Sequence, residues 1–198
     1  MHSVLVAHAK TEGTGAIADF IVRALMAHGV EVEVVDAAGK SATLVQPVYA
    51  AAIVCGSLQG NRVQHALLRF LKDNNSWLST IPAAFVDIGP AAAATDEASR
   101  EQLRTSADAF YRDAGWTPGI TRHVAGVLHS AQRPFLVRLI LNHAASRRRD
   151  DAQASRDGEY TDWDDLARFV EEFLAAVHVQ ERARDPNLDA QPLSSPGH

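Results

Sequence analysis

Residues 3–21, SVLVAHAKTEGTGAIADFI, decide the fold, because a short apolar run is followed by a polar segment and then by a helical pattern. The run at residues 3–7 is rich in β-branched side chains and has no polar face, which is typical of a strand buried on both sides. After the glycine-containing segment at residues 8–15, apolar residues recur at the spacing of one helix face. They are Ala16, Ile17, Phe20, Ile21, Ala24 and Leu25.

Strand and helix patterns alternate along the rest of the chain. We predict further strands over residues 30–35, 51–56, 83–86 and 120–128, and further helices over residues 61–75, 96–114, 134–146 and 163–179. This alternation predicts one doubly wound α/β domain over residues 1–180, and such sheets bind ligands at the carboxyl ends of their strands. Residues 181–198 contain three prolines and few apolar residues, so we predict a disordered tail there.

Composition excludes several classes of protein. The 198 residues are 46% apolar and 22% charged, and no apolar run reaches the roughly 18 residues of a membrane span. The single cysteine, Cys55, rules out a disulfide framework and a zinc site of paired cysteines, so we predict an inert buried thiol and no metal. A net charge of −5 argues against nucleic-acid binding. The amino terminus lacks a signal-peptide pattern, so we expect a cytoplasmic protein.

Positive charge is concentrated in one part of this acidic chain. Residues 122–149 contain six arginines and no aspartate or glutamate. The arginines are Arg122, Arg133, Arg138, Arg147, Arg148 and Arg149. A cationic segment on an acidic body indicates an anionic partner, and a solvated basic helix face is the alternative.

The segment at residues 8–15 has three interpretations. Residues 13–18, GTGAIA, fit the dinucleotide pattern G-x-G-x-x-A, and Asp36 ends the next predicted strand, where an acid could hold a ribose. Five residues separate the first strand from Gly13, which instead favours a longer mononucleotide loop whose backbone N–H groups hold a terminal phosphate. An ordinary turn between a strand and a helix is the third interpretation, since such turns also favour glycine and threonine.

Two sets of motifs resemble a known family. Lys10-Thr11-Glu12-Gly13-Thr14, followed by Ile17-Ala18, resembles the FMN phosphate loop of the flavodoxin family. The carboxyl-terminal half carries Gly115-Trp116-Thr117-Pro118, Val124-Ala125-Gly126-Val127-Leu128, an apolar helix at residues 135–141 and Tyr160-Thr161-Asp162-Trp163. Together these motifs resemble the menaquinone-dependent protoporphyrinogen oxidase branch of that family, over residues 3–178.

The resemblance implies a flavodoxin-like three-layer sandwich, with a five-stranded parallel sheet and helices on both faces. It also implies an FMN-dependent oxidoreductase that passes electrons from a small-molecule substrate, a porphyrinogen in that branch, through the flavin to a quinone. The FMN would lie against three loops that follow strands. Their residues are His8, Ala9, Lys10, Thr11, Glu12, Gly13 and Thr14, then Gly56, Ser57, Leu58 and Gln59, and finally Asp87, Ile88, Gly89 and Pro90.

Residues from about 129 to 158 form an insertion relative to a minimal flavodoxin. In the branch that the chain resembles, an apolar helix with arginines implies contact with a dicarboxylic porphyrin or with a quinone-containing membrane. The arginines concerned are Arg133, Arg138, Arg147, Arg148 and Arg149. We therefore expect a cytoplasmic protein that can lie peripherally at the inner face of the membrane. An acidic protein partner, packing of the helix on the sheet and a homodimer contact are the alternatives.

Several residues depart from the family's pattern and predict weaker FMN binding. Ala9 stands where a serine or threonine is usual, and the missing hydroxyl removes a charge-assisted hydrogen bond of about 1.5–3 kcal/mol. Glu12 stands where glycine is usual, and it adds negative charge near the phosphate. Leu58 and Gln59 stand where an aromatic residue often stacks on the flavin. Two further hypotheses therefore stay open: an electron-carrier flavodoxin, and a flavodoxin-fold binding protein that has lost FMN.

Three further residues are interpreted from their positions at the ends of predicted strands and helices. His8, at the end of the first strand, could act as an acid or base, line the site or serve as a spacer in the loop. Asp162 could cap the last predicted helix. Trp163 begins that helix, and we interpret it as an anchor in the core.

Overall fold

The computed structural model describes residues 3–9, 12–39, 49–58, 62–89, 97–125 and 161–184. The predicted helix at residues 134–146 and the whole insertion at about residues 129–158 lie outside these residues. None of the described helices is long and apolar enough to cross a membrane.

The described elements follow the predicted order. They are β1 (Ser3–His8), α1 (Glu12–Ala27), β2 (Val32–Asp36), β3 (Tyr49–Gly56), α2 (Arg62–Leu78), β4 (Ala83–Ile88), α3 (Glu97–Ala114), β5 (Ile120–Val124) and α4 (Trp163–Arg184). The five strands form one sheet in the order β2-β1-β3-β4-β5, and all four pairings are parallel. This is the strand order of flavodoxin-like doubly wound domains, so the predicted fold is confirmed.

The central strands are buried on both faces, as their apolar sequences predict. Residues of β3 and β4 from Ala51 onward are almost entirely inaccessible, whereas every residue of β2, at one edge, is partly buried or exposed. A strand covered on both sides needs apolar residues at every position, and an edge strand does not. Helices therefore cover both faces of the sheet.

One face of the sheet, the α1/α4 face, is covered by α1 and α4. Phe20 of α1 and Trp163 of α4 pack against each other with their ring centroids 5.1 Å apart. Trp163 is only 6% exposed, which confirms its interpretation as a core anchor. Cys55 of β3 belongs to the same core and is completely buried, which confirms the prediction of a core thiol.

The opposite face, the α2/α3 face, is covered by α2 and α3. Phe85 of β4 contacts the rings of Phe110 and Tyr111 of α3, at centroid distances of 5.4 and 5.7 Å. Leu67 and Phe70 of α2 complete this core beside them. The two cores are separate apolar layers on either side of the sheet.

Asp162 caps the amino terminus of α4, as predicted. Its Oδ1 accepts a 2.8 Å hydrogen bond from the backbone N–H of Asp165, and its carbonyl accepts the first helical hydrogen bond, from Leu166. The helix extends to Arg184. The prediction of a disordered tail is therefore wrong for residues 181–184, and the rest of that tail lies outside the described residues.

Candidate functional site

Three strands end side by side at the carboxyl edge of the sheet. The register pairs His8 of β1 with Cys55 of β3, and Gly56 of β3 with Asp87 of β4. The connections that follow β1 and β3 lead to opposite faces, since α1 lies on one side of the sheet and α2 on the other. A crevice forms where neighbouring connections diverge in this way, and it is the usual ligand site of doubly wound sheets. The described parts of all three predicted loops lie at this edge.

The first loop is shorter than we predicted. The helix α1 begins at Glu12, so Gly13, Thr14 and Gly15 lie in its first turn and not in the loop. The backbone N–H groups of a first helical turn have no acceptor within the helix. Of the predicted residues here, Lys10 and Thr11 lie outside the described part of the chain, and Glu12 and Gly13 are described only by their backbone.

Thr14 ties the start of α1 to the end of β1. Its hydroxyl donates a 2.7 Å hydrogen bond to the carbonyl oxygen of Ala9, and both residues are buried. A hydroxyl has a single proton, so Thr14 in this arrangement shapes the loop and does not donate to a phosphate. Ala9 has no side-chain donor at all.

The remaining donors at this edge suit a phosphate monoester. The first turn of α1 directs backbone N–H groups toward the end of β1, and a helix of 16 residues places partial positive charge there. At Gly15 an added Cβ would have no neighbour within 4 Å, so the turn is open on that side. The chemistry of this donor set fits the phosphate of FMN, held by backbone groups in place of hydroxyls.

The dinucleotide interpretation does not suit the same geometry. Its glycines form a tight turn between strand and helix, whereas Gly13 and Gly15 here are helical. The carboxylate of Asp36 is engaged locally, because its Oδ1 accepts a 2.9 Å hydrogen bond from the backbone N–H of Ala38. The structure therefore counts against the dinucleotide interpretation and leaves the mononucleotide loop and the ordinary turn as the two alternatives.

The second loop leaves β3 through a position that requires glycine. A Cβ atom at Gly56 would overlap the side chain of Leu67, which is itself fully buried in the α2/α3 core. Leu58 turns its side chain into that core, so it cannot replace the missing aromatic residue by stacking on a flavin. Its backbone N–H donates a 2.9 Å hydrogen bond to Oδ1 of Asp87. Gln59 lies outside the described residues.

Two residues of the predicted third loop belong instead to the strand before it. Asp87 and Ile88 are the last residues of β4 and are 3% and 4% exposed. Ile88 packs in the α1/α4 core, while Oδ2 of Asp87 lies 3.0 Å from Nδ1 of His123 on β5. Gly89 follows them at the edge, and Pro90 lies outside the described residues. Our placement of Asp87 and Ile88 in a loop is therefore wrong, because the buried strand continues farther than its apolar run.

His8 and His123 differ in their surroundings. His8 is 5% exposed at the end of β1, so it is part of the packed edge and not a spacer in an exposed loop. His123 has a side chain that is 29% exposed beside the buried carboxylate of Asp87. We did not predict this pairing from the sequence. The sequence does carry one signal of this pairing, because Asp87 is a single carboxylate at the end of an apolar strand. A buried carboxylate needs a hydrogen-bonding partner.

A buried tyrosine, Tyr111, lies on the same α2/α3 face of the sheet as the pair of Asp87 and His123. The hydroxyl of Tyr111 is 2.9 Å from Oγ1 of Thr121 on β5. The pKa of Tyr111 is raised to about 12, mainly because the side chain is buried. The hydrogen bond with Thr121 lowers this pKa, and the negative charges of Asp87 and Asp108 raise it. No group of three His, Cys, Asp or Glu side chains suitable for a metal exists among the described residues. The remaining predicted arginines, Arg133, Arg138, Arg147, Arg148 and Arg149, lie outside them.

Comparison with known proteins agrees with this geometry. The family model described as "Flavodoxin domain" matches residues 5–155. A protoporphyrinogen IX dehydrogenase [quinone] of Leishmania major is 25% identical over 174 residues, which cover 86% of this chain and 74% of that protein.

Two solved structures are similar at lower identity. A flavodoxin of Streptococcus pneumoniae TIGR4 is 19% identical, with a TM-score of 0.46, over 88% of this chain and 98% of that one. Oxidised Flavodoxin 2 from Bacillus cereus is also 19% identical, with a TM-score of 0.47, over 72% of this chain and 95% of that one. With three strand ends meeting at one edge and a family match that spans most of its length, this chain belongs to the flavodoxin domain family.

Proposed function

We propose that this protein is an FMN-dependent oxidoreductase that passes electrons from a porphyrinogen-like substrate through the flavin to a quinone. The observation that carries the proposal is the match to the Leishmania major enzyme, which extends over 86% of this chain. The carboxyl edge supports it, because its donors suit a phosphate monoester. When bound, FMN would supply the redox chemistry, since it can exchange electrons with both an organic substrate and a quinone.

The chain's own residues bind and orient the cofactor in this proposal. The first turn of α1 holds the phosphate through backbone N–H groups, and Thr14 fixes that turn against Ala9. Gly56 lets the second loop leave β3 close to α2. The arginines at residues 147–149 are proposed to contact the anionic substrate or an anionic membrane surface, which guanidinium groups suit.

Titration of the apoprotein with FMN tests the cofactor. We expect quenching of flavin fluorescence on binding and saturation at one equivalent. Anaerobic mixing of the loaded protein with protoporphyrinogen IX should then bleach the flavin absorbance, and a menaquinone analogue should restore it. Bleaching by an artificial reductant but not by the porphyrinogen would instead indicate an electron-carrier flavodoxin.

The test of the arginines needs a control variant that loses the same number of positive charges elsewhere on the protein. We compare the triple variant Arg147→Gln, Arg148→Gln, Arg149→Gln with Arg100→Gln, Arg104→Gln, Arg112→Gln on the exposed side of α3. The first variant should raise KM for the porphyrinogen or weaken binding to anionic vesicles, and the second should change neither. Unchanged turnover, KM and vesicle binding in the first variant would remove this part of the proposal.

One observation favours a second candidate, a flavodoxin-fold binding protein without FMN. Ala9 provides no hydroxyl and Thr14 uses its proton within the chain, so two side-chain donors are missing from the phosphate site. The variant Ala9→Ser discriminates between the candidates. Tighter FMN binding in this variant, by about tenfold, indicates a working but weakened site. Absence of FMN binding in both proteins indicates a lost one.

A further inference from the structure

The carboxylate of Asp87 connects three parts of the carboxyl edge. Asp87 is 3% exposed on β4, and its Oδ1 accepts a 2.9 Å hydrogen bond from the backbone N–H of Leu58 in the second loop. Its Oδ2 lies 3.0 Å from Nδ1 of His123 on β5. These three residues are called the Asp87 clamp below.

The clamp uses groups that would be costly to leave unpaired. A buried carboxylate requires hydrogen bonds to each oxygen, and such bonds are shorter and stronger than those between neutral groups. Because an ionised carboxylate can only accept, this contact selects the form of His123 in which Nδ1 carries a proton, and it thereby orients the imidazole. Because β4 and β5 pair with Asp87 directly opposite His123, the sheet itself holds these two side chains on one face.

The clamp acts on the loop through the backbone of Leu58. The peptide group between Ser57 and Leu58 is planar, so holding the N–H of Leu58 against Asp87 also fixes the direction of the Ser57 carbonyl. The side chain of Leu58 is anchored in the α2/α3 core, and at Gly89 an added Cβ would lie 3.7 Å from Oγ of Ser57. The second loop is thus held in one orientation beside the third.

We infer that Asp87 and His123 are positioning residues for the cofactor: they hold the Ser57–Leu58 peptide in the orientation that FMN meets. This inference rests on the proposed function. Neither side chain needs to touch the flavin. If only a fraction of molecules keeps the loop in the competent orientation, the apparent Kd for FMN rises by the inverse of that fraction.

Two sets of variants separate positioning from other roles. Asp87→Ala removes both hydrogen bonds, whereas Asp87→Asn keeps an acceptor for Leu58 and offers an amide to His123. In His123→Asn the amide nitrogen takes the place of Nδ1 and can still donate to Asp87. In His123→Gln the amide nitrogen takes the place of Nε2, so the hydrogen bond to Asp87 is lost. Asp113→Asn, at an exposed position of α3, is the matched control for loss of one carboxylate.

The first measurement needs no cofactor. Hydrogen exchange of the Leu58 amide in the apoprotein should be at least about tenfold faster in Asp87→Ala and close to wild type in Asp87→Asn and Asp113→Asn. Thermal unfolding identifies a variant that fails to fold, in which case Asp87→Asn and the two variants of His123 carry the test. Unchanged exchange in a folded Asp87→Ala protein would overturn the clamp.

The second measurement concerns FMN. The Kd should rise about tenfold or more in Asp87→Ala and His123→Gln, and His123→Asn should restore it. Faster exchange of the Leu58 amide with an unchanged Kd would overturn the positioning role. A His123→Asn protein that binds FMN normally but loses turnover would also overturn it, since His123 would then act through Nε2. If the wild type itself fails to bind FMN, the proposed function fails, and the clamp is judged by the exchange of Leu58 alone.

Discussion

The hydroxyl of Thr161 donates a 2.8 Å hydrogen bond to the carbonyl oxygen of Ala125, so two residues 36 positions apart meet at the end of β5. Thr161, just before α4, is therefore held directly beside the end of β5. The entropic cost of closing a loop grows only with the logarithm of its length. The stability of the domain should consequently depend little on how many residues separate Ala125 from Thr161.

Shortening of this insertion tests that expectation. Replacement of residues 127–159 by a glycine–serine linker of about six residues should change the free energy of unfolding by no more than about 2 kcal/mol. Urea unfolding followed by circular dichroism measures it. Thr161→Val should cost about 1 kcal/mol in both backgrounds, because the closing hydrogen bond is the same. Loss of cooperative unfolding in the shortened protein would mean that the insertion is part of the core.

The cap of α4 predicts a second stability effect. Asp162→Ala should lower the free energy of unfolding by about 1 kcal/mol, because the N–H of Asp165 loses its acceptor. Asp162→Asn retains an acceptor oxygen and should be close to wild type. Denaturant titration of the three proteins gives the comparison. An equal loss in both variants would show that the charge of Asp162 matters and not its hydrogen bond.

The close approach of Gly56 to Leu67 predicts a third effect on stability. Gly56→Ala should destabilise the protein by about 1–3 kcal/mol, since the new methyl group overpacks the fully buried Leu67. In the double variant with Leu67→Ala, the two costs should be less than additive, because the methyl group enters the space that leucine vacates. Gly15→Ala, where no neighbour lies within 4 Å, is the control. Additive losses would contradict direct contact between the two positions.

Burial of Cys55 predicts a loss of stability at alkaline pH. Burial raises the pKa of its thiol from 9.0 to about 12, so the folded state holds this proton more tightly than the unfolded state. The resulting stabilisation is complete below pH 9 and is lost as the pH rises from 9 to 12. Urea midpoints measured from pH 7 to 11 should fall less steeply in Cys55→Ala than in wild type. Equal slopes would show that the thiol does not contribute.

The same burial predicts the reactivity of the thiol. Attack on a disulfide reagent requires the thiolate, which at pH 8 is about one part in ten thousand for a pKa near 12. Cys55 should therefore react with a thiol reagent only in denaturant. Rapid labelling of the native protein would indicate that the α1/α4 core opens.

The sequence was sufficient to predict the elements whose signals are local. Residues 3–7, a continuous apolar run, correspond to β1, and the cap at Asp162 follows from residue type and position alone. The start of α1 was predicted four residues too late, because Gly13 and Gly15 suggested a loop. Propensity does not reveal that Thr14 stabilises this turn through a hydrogen bond to Ala9.

The pairing of Asp87 with His123 could not be predicted in the same way. The two residues are 36 positions apart, and their contact depends on the register between β4 and β5. Register is a property of the assembled sheet, so the sequence alone does not show which residue lies opposite Asp87. The described parts of the three predicted loops share this edge because each lies at the end of a strand, which is a topological argument and needs no register.

The order in which the two cores can form follows from where their residues lie in the chain. The α2/α3 face is built from segments that end at Trp116, whereas the α1/α4 face needs Trp163, Phe169 and Phe173. During synthesis, Phe20 and its neighbours on α1 must wait for α4 to leave the ribosome while the opposite layer can already close. A product that terminates before residue 163 would therefore lack the α4 side of this apolar core, which makes premature termination a route to aggregation or to capture by chaperones.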